Sequence, residues 1–555
     1  MTVPEARVLN SAWPAGRPPG LPGLPLVGNG LRLARDPLGF LTAAGQAGQA
    51  GQGHGDVVRI ALPGQAAFLV TSPELVEFVL NSGAANFVKS PGKATPAPRS
   101  ATPGSASARS AAPRLPRRLA GRLVERLTER FTGRFPGAAD GEHDDLITWL
   151  RNFPADREVF VPEQEQGHSL RQDRRQIGPA FHSHRIAGYA DTMVDIARRV
   201  SATWRDGQEL DVHHEMTRLS LAVVAKTLFG VDALDRADAV ATSFDTVFRQ
   251  MVRQLKYPVR LPLGVPTPGN LRVLHAVAEI GRFLDDVHRE GYLERRHQPD
   301  GADGAPLGSG VGSHENLLDL LLGDAANRTD DAEPQRSGAG GNRWRHQALI
   351  VFAAGYETTA VALTWTWYLL AANPQVQERL HAELAAVLDG RAPEAADYQH
   401  LRYTEAVVKE SLRLYPPVWL VGPRTAREDL MLGGYRIPAD GVVLVSPWVI
   451  HRDRRNFAQP NAFDPGRWLD ARAEQTHRYA YLPFSAGPRL CVGHRYAMTE
   501  TVLVLATLAQ RSRMGLLDVA PPRPQGLVTL QPPAGLRLRV HGRPEVQGRP
   551  RVHGW

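Results

Sequence analysis

The stretch FSAGPRLCVGHRYAMTE, Phe484 to Glu500, holds the only cysteine among 555 residues. A single cysteine excludes an intramolecular disulfide and any zinc site built on several thiolates. Taken alone it would read as a small buried apolar residue, but its flanks argue for chemistry. The spacing FxxGxRxCxG sets out Phe484, Gly487, Arg489, Cys491 and Gly493, and Ala497 and Glu500 continue one face of a following helix. A thiolate that binds a metal gains from backbone N–H donors and a nearby helix N-terminus, which lower the thiol pKa. Glycines let the backbone close around the sulfur without Cβ clashes. An arginine two residues before the ligand can pair with a carboxylate beside the metal. One cysteine with no second Cys or His beside it suits an axial ligand to a planar cofactor that fills four other positions.

Three further motifs precede the cysteine in order. Ala354-Gly355-Tyr356-Glu357-Thr358-Thr359 lies in a long apolar run. Glu410-Ser411-Leu412-Arg413 sits on a helix with an i,i+3 charge pair. Phe463-Asp464-Pro465-Gly466-Arg467-Trp468 reads FxPxRW. Each is weak alone; together with the cysteine loop, in this order and spacing, they resemble the cytochrome P450 family of haem-thiolate monooxygenases, over roughly residues 17–90 and 160–540. The resemblance implies a mainly α fold with small β regions, and a haem lying between the long helix that carries Glu357 and the Cys491 loop.

The resemblance also implies roles. Cys491 is the proximal iron ligand of haem b, iron protoporphyrin IX. Arg489, Arg424 in GPRTA and Arg174 in RQDRRQIGPAF are partners of the haem propionates. Phe484, Gly487 and Gly493 shape the loop around the ligand. Leu170 departs from the pattern, because the family usually has a Trp or His donor there; His168 is the nearest substitute. Glu410 and Arg413 are expected to form a buried ion-pair cluster with Arg467. Glu357 and Thr358 are the acid–alcohol pair over the iron. A Thr hydroxyl can bond the carbonyl one turn back and loosen the helix, and Gly355 leaves room beside the backbone.

The rest of the chain is consistent with one large haem-bearing unit, 17–545, between short tails at 1–16 and 546–555. RPPGLPGLPLVGNG is a Pro/Gly-rich lead-in. GDVVRIALPGQAAFLVTS reads as a hairpin around Pro63-Gly64. Ser72 is a candidate N-cap, with Pro73 at the first helical position. PLGVPTPGN, residues 262–270, breaks two helices, and residues 323–342 form a polar linker. Ala348 to Ala372 is long and apolar enough to span a bilayer, but it carries Glu357, and an intramembrane carboxylate is costly; a buried core helix is the expectation. The N-terminal residues show no signal-peptide pattern and no membrane anchor.

The formal charge is +8, and residues 90–135, with ten Lys/Arg against Glu125 and Glu129, account for all of it. The excess is therefore local and does not indicate a nucleic-acid partner. The segment forms an Arg/Pro/Ala-rich insertion, 90–136, whose start is low in complexity. In residues 115–135 leucines and arginines each recur every four residues, which predicts a basic amphipathic helix. Such a helix either associates weakly with an acidic surface or rests passively on the domain.

The resemblance implies insertion of one oxygen atom from O2 into an apolar small molecule, a terpenoid or a fatty acid. The chain has no flavin or iron–sulfur motif, so NAD(P)H electrons must arrive through a ferredoxin or flavodoxin-type donor with its reductase. Arg171, Arg175 and Arg495 are expected near the face where an acidic partner docks. Likeness to soluble bacterial members implies a cytoplasmic location. The alternative is a haem-thiolate peroxygenase, isomerase or haem sensor that does not use O2.

Overall fold

The computed structural model describes residues 18–24, 28–50, 56–62, 65–89, 174–256, 267–297, 317, 320, 343–517 and 520–542. The insertion 90–136 with its expected basic helix, the tails 1–16 and 546–555, the expected turn at Pro63-Gly64, residues 323–342, and His168, Leu170 and Arg171 lie outside the described residues. The expectation of a mainly helical fold with small sheets holds.

Short β-rich runs near the N-terminus meet later strands to make one sheet. Val57–Leu62 (β1) pairs antiparallel with Gln65–Val70 (β2), with Leu62 opposite Gln65. The other strands are Phe87–Lys89 (β3), Glu209–Asp211 (β4), Val421–Ala426 (β5), Leu430–Leu432 (β6), Tyr435–Ile437 (β7), Val442–Val445 (β8), Ser512–Leu516 (β9), Gln525–Gly526 (β10), Leu530–Gln531 (β11) and Arg537–Gly542 (β12). The largest sheet runs β1-β2-β8-β5-β3, with β2 and β8 parallel and the other neighbours antiparallel. Successive side chains on a strand face opposite ways. Phe68, Val70, Val443 and Val445 therefore pack on one face, against Val79, Leu80 and Leu482. Ala67, Leu69, Val442 and Leu444 pack on the other, against Phe40, Leu41 and Val449. Both faces are covered, which is why these strands read as continuous apolar runs.

The helices that build the larger core are Ser183–Ser201 (α1), Val212–Phe229 (α2), Ala237–Lys256 (α3), Pro268–His297 (α4), Arg343–Ala372 (α5), Pro374–Leu388 (α6), Arg402–Leu414 (α7) and His494–Arg511 (α8). Helix α1 buries Ile186, Ala190, Met193, Ala197 and Val200, the spacing of one helical stripe. Helix α2 is buried nearly all round; it starts where the Asp211 side chain accepts the His214 N–H and ends at Gly230 with φ 82°. Helix α5 lies along α2, and its Trp365 and Trp367 are fully buried. It is long and apolar enough to cross a membrane, yet two-thirds of its most apolar window is buried within the protein. Phe352 on α5 meets Phe229 of α2, Phe244 of α3 and Phe283 of α4 at ring-centroid distances of 5.5, 6.2 and 5.2 Å. One aromatic thus ties four helices together. The expected start at Ser72 also holds: its hydroxyl accepts the Leu75 N–H at 3.3 Å, with Pro73 in the first turn.

Where α7 ends, a buried charge cluster joins it to the FxPxRW segment. Arg413 reaches both oxygens of Glu410, at 2.9 and 2.8 Å, and Arg467 Nε donates to Oε1 at 2.9 Å. Trp468 Nε1 and the Asp464 N–H complete the carboxylate's shell. The remaining Arg413 donors reach the carbonyls of His451, Pro460 and Ala462. Glu410 and Arg413 are both 0% exposed. Glu410 and Arg413 each have a full set of partners, and Arg467 adds the Ala458 carbonyl, so the cluster tolerates burial, but removing one member strands the others. Glu410→Leu should lower folding stability by about 3–5 kcal/mol, measured by guanidinium unfolding. A loss below about 1 kcal/mol, the worth of an exposed pair, would show that the two guanidinium ions find other partners.

Candidate active site

The Cys491 loop is anchored from both ends. Gly487 has φ +68°, and a Cβ there would collide with the Leu80 carbonyl oxygen, so only glycine permits this approach to the Leu80–Asn81 backbone. Ser485 also adopts positive φ, 61°. Beyond the turn at Gly487–Arg489, the Cys491 N–H donates to the Phe484 carbonyl at 3.0 Å. At Gly493, just before α8, a Cβ would meet the Phe181 ring at 3.4 Å. The Gly493 backbone N–H acts on the Cys491 thiol in the direction that favours the thiolate. His494 Nδ1 lies 3.0 Å from the Cys491 carbonyl, and the Phe484 and His494 rings are 6.3 Å apart.

Cys491 is open to solvent, yet burial is the largest influence on its thiol and pushes its pKa up. The Gly493 N–H and the Arg174 charge act the other way and favour the thiolate. Arg174 donates to the carbonyls of Pro488 and Leu490, bracing the loop from the helix that opens the Arg174–Phe181 segment. Arg424 is buried in β5 with Nη1 2.7 Å from the Gly422 carbonyl. Arg489 is half-buried in the loop turn.

Helix α5 carries the other predicted pair. Phe352, Tyr356, Glu357 and Thr359 are buried and Val351, Ala353 and Gly355 half-buried, but Ala354 is exposed, Thr358 is half-exposed and Ile350, one turn earlier, is 49% exposed. This line of residues is an open wall within an otherwise enclosed helix. The Thr358 hydroxyl donates to the Ala354 carbonyl at 2.8 Å, the back-bond expected from the sequence, and Thr359 repeats it to Gly355 at 3.0 Å. Glu357 points elsewhere. It is buried, and its Oε1 accepts from Thr529 Oγ1 at 2.9 Å and Gln531 Nε2 at 2.6 Å. Burial raises its pKa, and these two bonds oppose the rise. Thr529 lies in the connection between β10 and β11 and Gln531 in β11, and no motif in the sequence singled them out.

His451 is the link between the charge cluster and the loop. Its Nε2 accepts the Leu482 N–H at 2.8 Å, which leaves the proton on Nδ1, 3.1 Å from the Arg413 carbonyl. Leu482 lies two residues before Phe484, so the imidazole carries the position of the Glu410–Arg413 helix into the Cys491 loop. Burial, then the Arg413 charge, depress the His451 pKa from 6.5 to about 3.

The sequence matches the family model for cytochrome P450 over residues 147–538. It is 34% identical over 515 residues to cyclooctatin synthase of Streptomyces melanosporofaciens, covering 92% of this chain and 93% of that protein. It is 32% identical over 504 residues to cyclooctat-9-en-7-ol 5-monooxygenase of the same organism, covering 90% of each. With pentalenene oxygenase of Streptomyces avermitilis the identity is 33% over 374 residues, 67% of this chain and 78% of that protein.

Because His451 stays neutral when folded but binds a proton below pH 6.5 when unfolded, its contribution to stability is complete above 6.5 and declines as pH falls towards 3. Unfolding free energies of wild type and His451→Gln, measured by urea titration across this range, should differ in slope by up to about 1.4 kcal/mol per pH unit. The wild type should be the steeper. Parallel slopes would mean that His451 is charged in the folded protein.

Proposed function

The chain belongs to the cytochrome P450 family and is a haem-dependent monooxygenase; on that premise we propose that it oxygenates a terpenoid-like hydrocarbon at the open wall of α5, with Cys491 as the iron ligand. The reading rests chiefly on Cys491, exposed in a loop whose shape is fixed by the close approach of Gly487 to Leu80, by the Cys491 N–H to Phe484 carbonyl bond and by Arg174 on the Pro488 and Leu490 carbonyls. These residues fit an iron porphyrin bound through sulfur. When bound, such a group supplies O2 activation and transfer of one oxygen atom to carbon. The names of the similar proteins, a cyclooctat-9-en-7-ol monooxygenase and a pentalenene oxygenase, support a terpenoid substrate over a fatty acid.

Haem b is the form proposed, with Arg174, Arg424 and Arg489 on the propionate side, and with Phe484, Gly487 and Gly493 holding the loop. Ile350 and Ala354 offer apolar surface to the substrate. The Thr358 hydroxyl spends its proton on the Ala354 carbonyl and keeps lone pairs that can accept from a water. Glu357, whose burial favours the protonated form, is the proton reserve next to it in sequence, and Thr529 and Gln531 hold it in place. The electron donor is a separate ferredoxin or flavodoxin-type protein with its reductase. Exposed Arg175 and Arg495, the latter 2.9 Å from Ser183 Oγ, suit its acidic surface.

The reduced, carbon monoxide-treated wild type should show the red-shifted Soret band of thiolate ligation, and cyclic diterpene or sesquiterpene hydrocarbons should shift the ferric spin state where fatty acids do not. Cys491→Ser should lose the red-shifted band; its retention would remove Cys491 as the ligand, and a spin shift with fatty acids alone would remove the terpenoid reading.

Thr358→Ala should keep oxidising NADPH with the reconstituted electron donor but release most of the reducing equivalents as hydrogen peroxide. Product, peroxide and NADPH are to be measured together. Coupling equal to wild type would mean that another group delivers the proton.

A further inference from the structure

A concavity lies away from every residue of the site just described. It is a cleft of ≈ 590 Å³ where the C-terminal ends of α1, α6 and α8 converge on the edge of the β4-β12-β9 sheet. Its volume falls in the range of small-molecule sites, about 300–1,000 Å³. Its wall is dominated by arginine: Arg198 from α1, Arg205 just beyond α1, Arg391 after α6 and Arg511 from the last turn of α8.

The charges do not cancel. Arg391 is held by Asp397 through two bonds of 2.6 Å and counts as neutral. Asp206, the one acidic side chain among the described residues of the wall, accepts the Gly542 N–H at 2.9 Å and anchors β12 to the loop after α1. Arg198 and Arg205 are exposed and form no ion pair among the described residues. Cations in the last turn of a helix complement its partial negative charge, and that accounts for one arginine at each of α1 and α8. It does not account for Arg205, which lies outside any helix, or for the gathering of these side chains around one cleft. Trp204 adds a half-buried ring to the wall, with its Nε1 spent on Glu215 at 3.2 Å, so the ring offers a face rather than a donor. Forked guanidinium donors around a concavity match the geometry of phosphate oxygens.

We propose that this cleft binds a phosphate- or diphosphate-bearing small molecule, at a site distinct from the one where oxygen is transferred. The phosphate group sits between Arg198 and Arg205, and the uncharged part lies against Trp204. Two sources share this chemistry: a free inorganic anion, or an organic phosphate whose body uses the Trp204 face.

The full haem-loaded protein is to be titrated calorimetrically with inorganic phosphate, pyrophosphate and AMP, at low and at higher sodium chloride. Saturable binding that weakens with salt is expected, tighter for AMP than for phosphate if the organic body is recognised and equal if the anion alone is. Arg198→Gln/Arg205→Gln should bind at least about tenfold more weakly for each charge-assisted hydrogen bond removed. Arg198→Lys/Arg205→Lys should recover part of the affinity, and Arg282→Gln, on the distant α4 surface, should leave it unchanged. The carbon monoxide spectrum and thermal midpoint establish that each variant is folded. No saturable binding by the wild type, or equal affinity in the folded Gln variant, would overturn the proposal and leave Arg198 as a helix-end charge and Arg205 as an exposed surface charge.

Discussion

The burial of Glu410 with two arginines constrains everything around the site. A carboxylate taken out of water costs several kcal/mol unless its oxygens are fully bonded. Here they are, by two guanidinium groups, an indole N–H and a backbone N–H. Satisfying Arg413 in turn requires the carbonyls of His451, Pro460 and Ala462 at set positions. The irregular chain from 450 to 468 carries little regular secondary structure, and this demand is what orders it. His451 then transmits the arrangement to Leu482, at the threshold of the cysteine loop.

Around Cys491 two opposing effects meet. Burial disfavours a charged sulfur, while an N–H and a guanidinium favour it. Arg174 serves the loop directly, donating to two of its carbonyls as well as lending charge. A lysine at that position would bring the charge without the fork that bridges both carbonyls.

Helix α5 resolves a conflict between its composition and its task. An apolar helix of this length is at home only where other elements cover it, and α2, with the Phe352 cluster, does so. The uncovered line through Ile350, Ala354 and Thr358 is therefore a feature of the packing, since nothing in the local sequence separates it from the covered faces. Thr358 and Glu357 are adjacent in sequence but about 100° apart around the helix, and so they meet different surroundings.

Much of this was legible in the residues themselves. The order of the four motifs identified the family, the i,i+3 spacing of Glu410 and Arg413 announced their pair, and Ser72-Pro73 marked a helix start, because each depends on neighbours within a turn or two. The Thr358 back-bond was legible for the same reason. The partners of Glu357 were not: Thr529 and Gln531 lie more than 170 residues away, in a hairpin with no distinguishing pattern. Nor was the use of Arg174 to hold loop carbonyls, the placing of Gly487 against Leu80, or the gathering of Arg198, Arg205 and Arg511 around one cleft. Local spacing encodes which groups a segment offers; only the packing of distant segments decides which of those groups meet, because burial and hydrogen-bond satisfaction are settled between elements rather than along the chain.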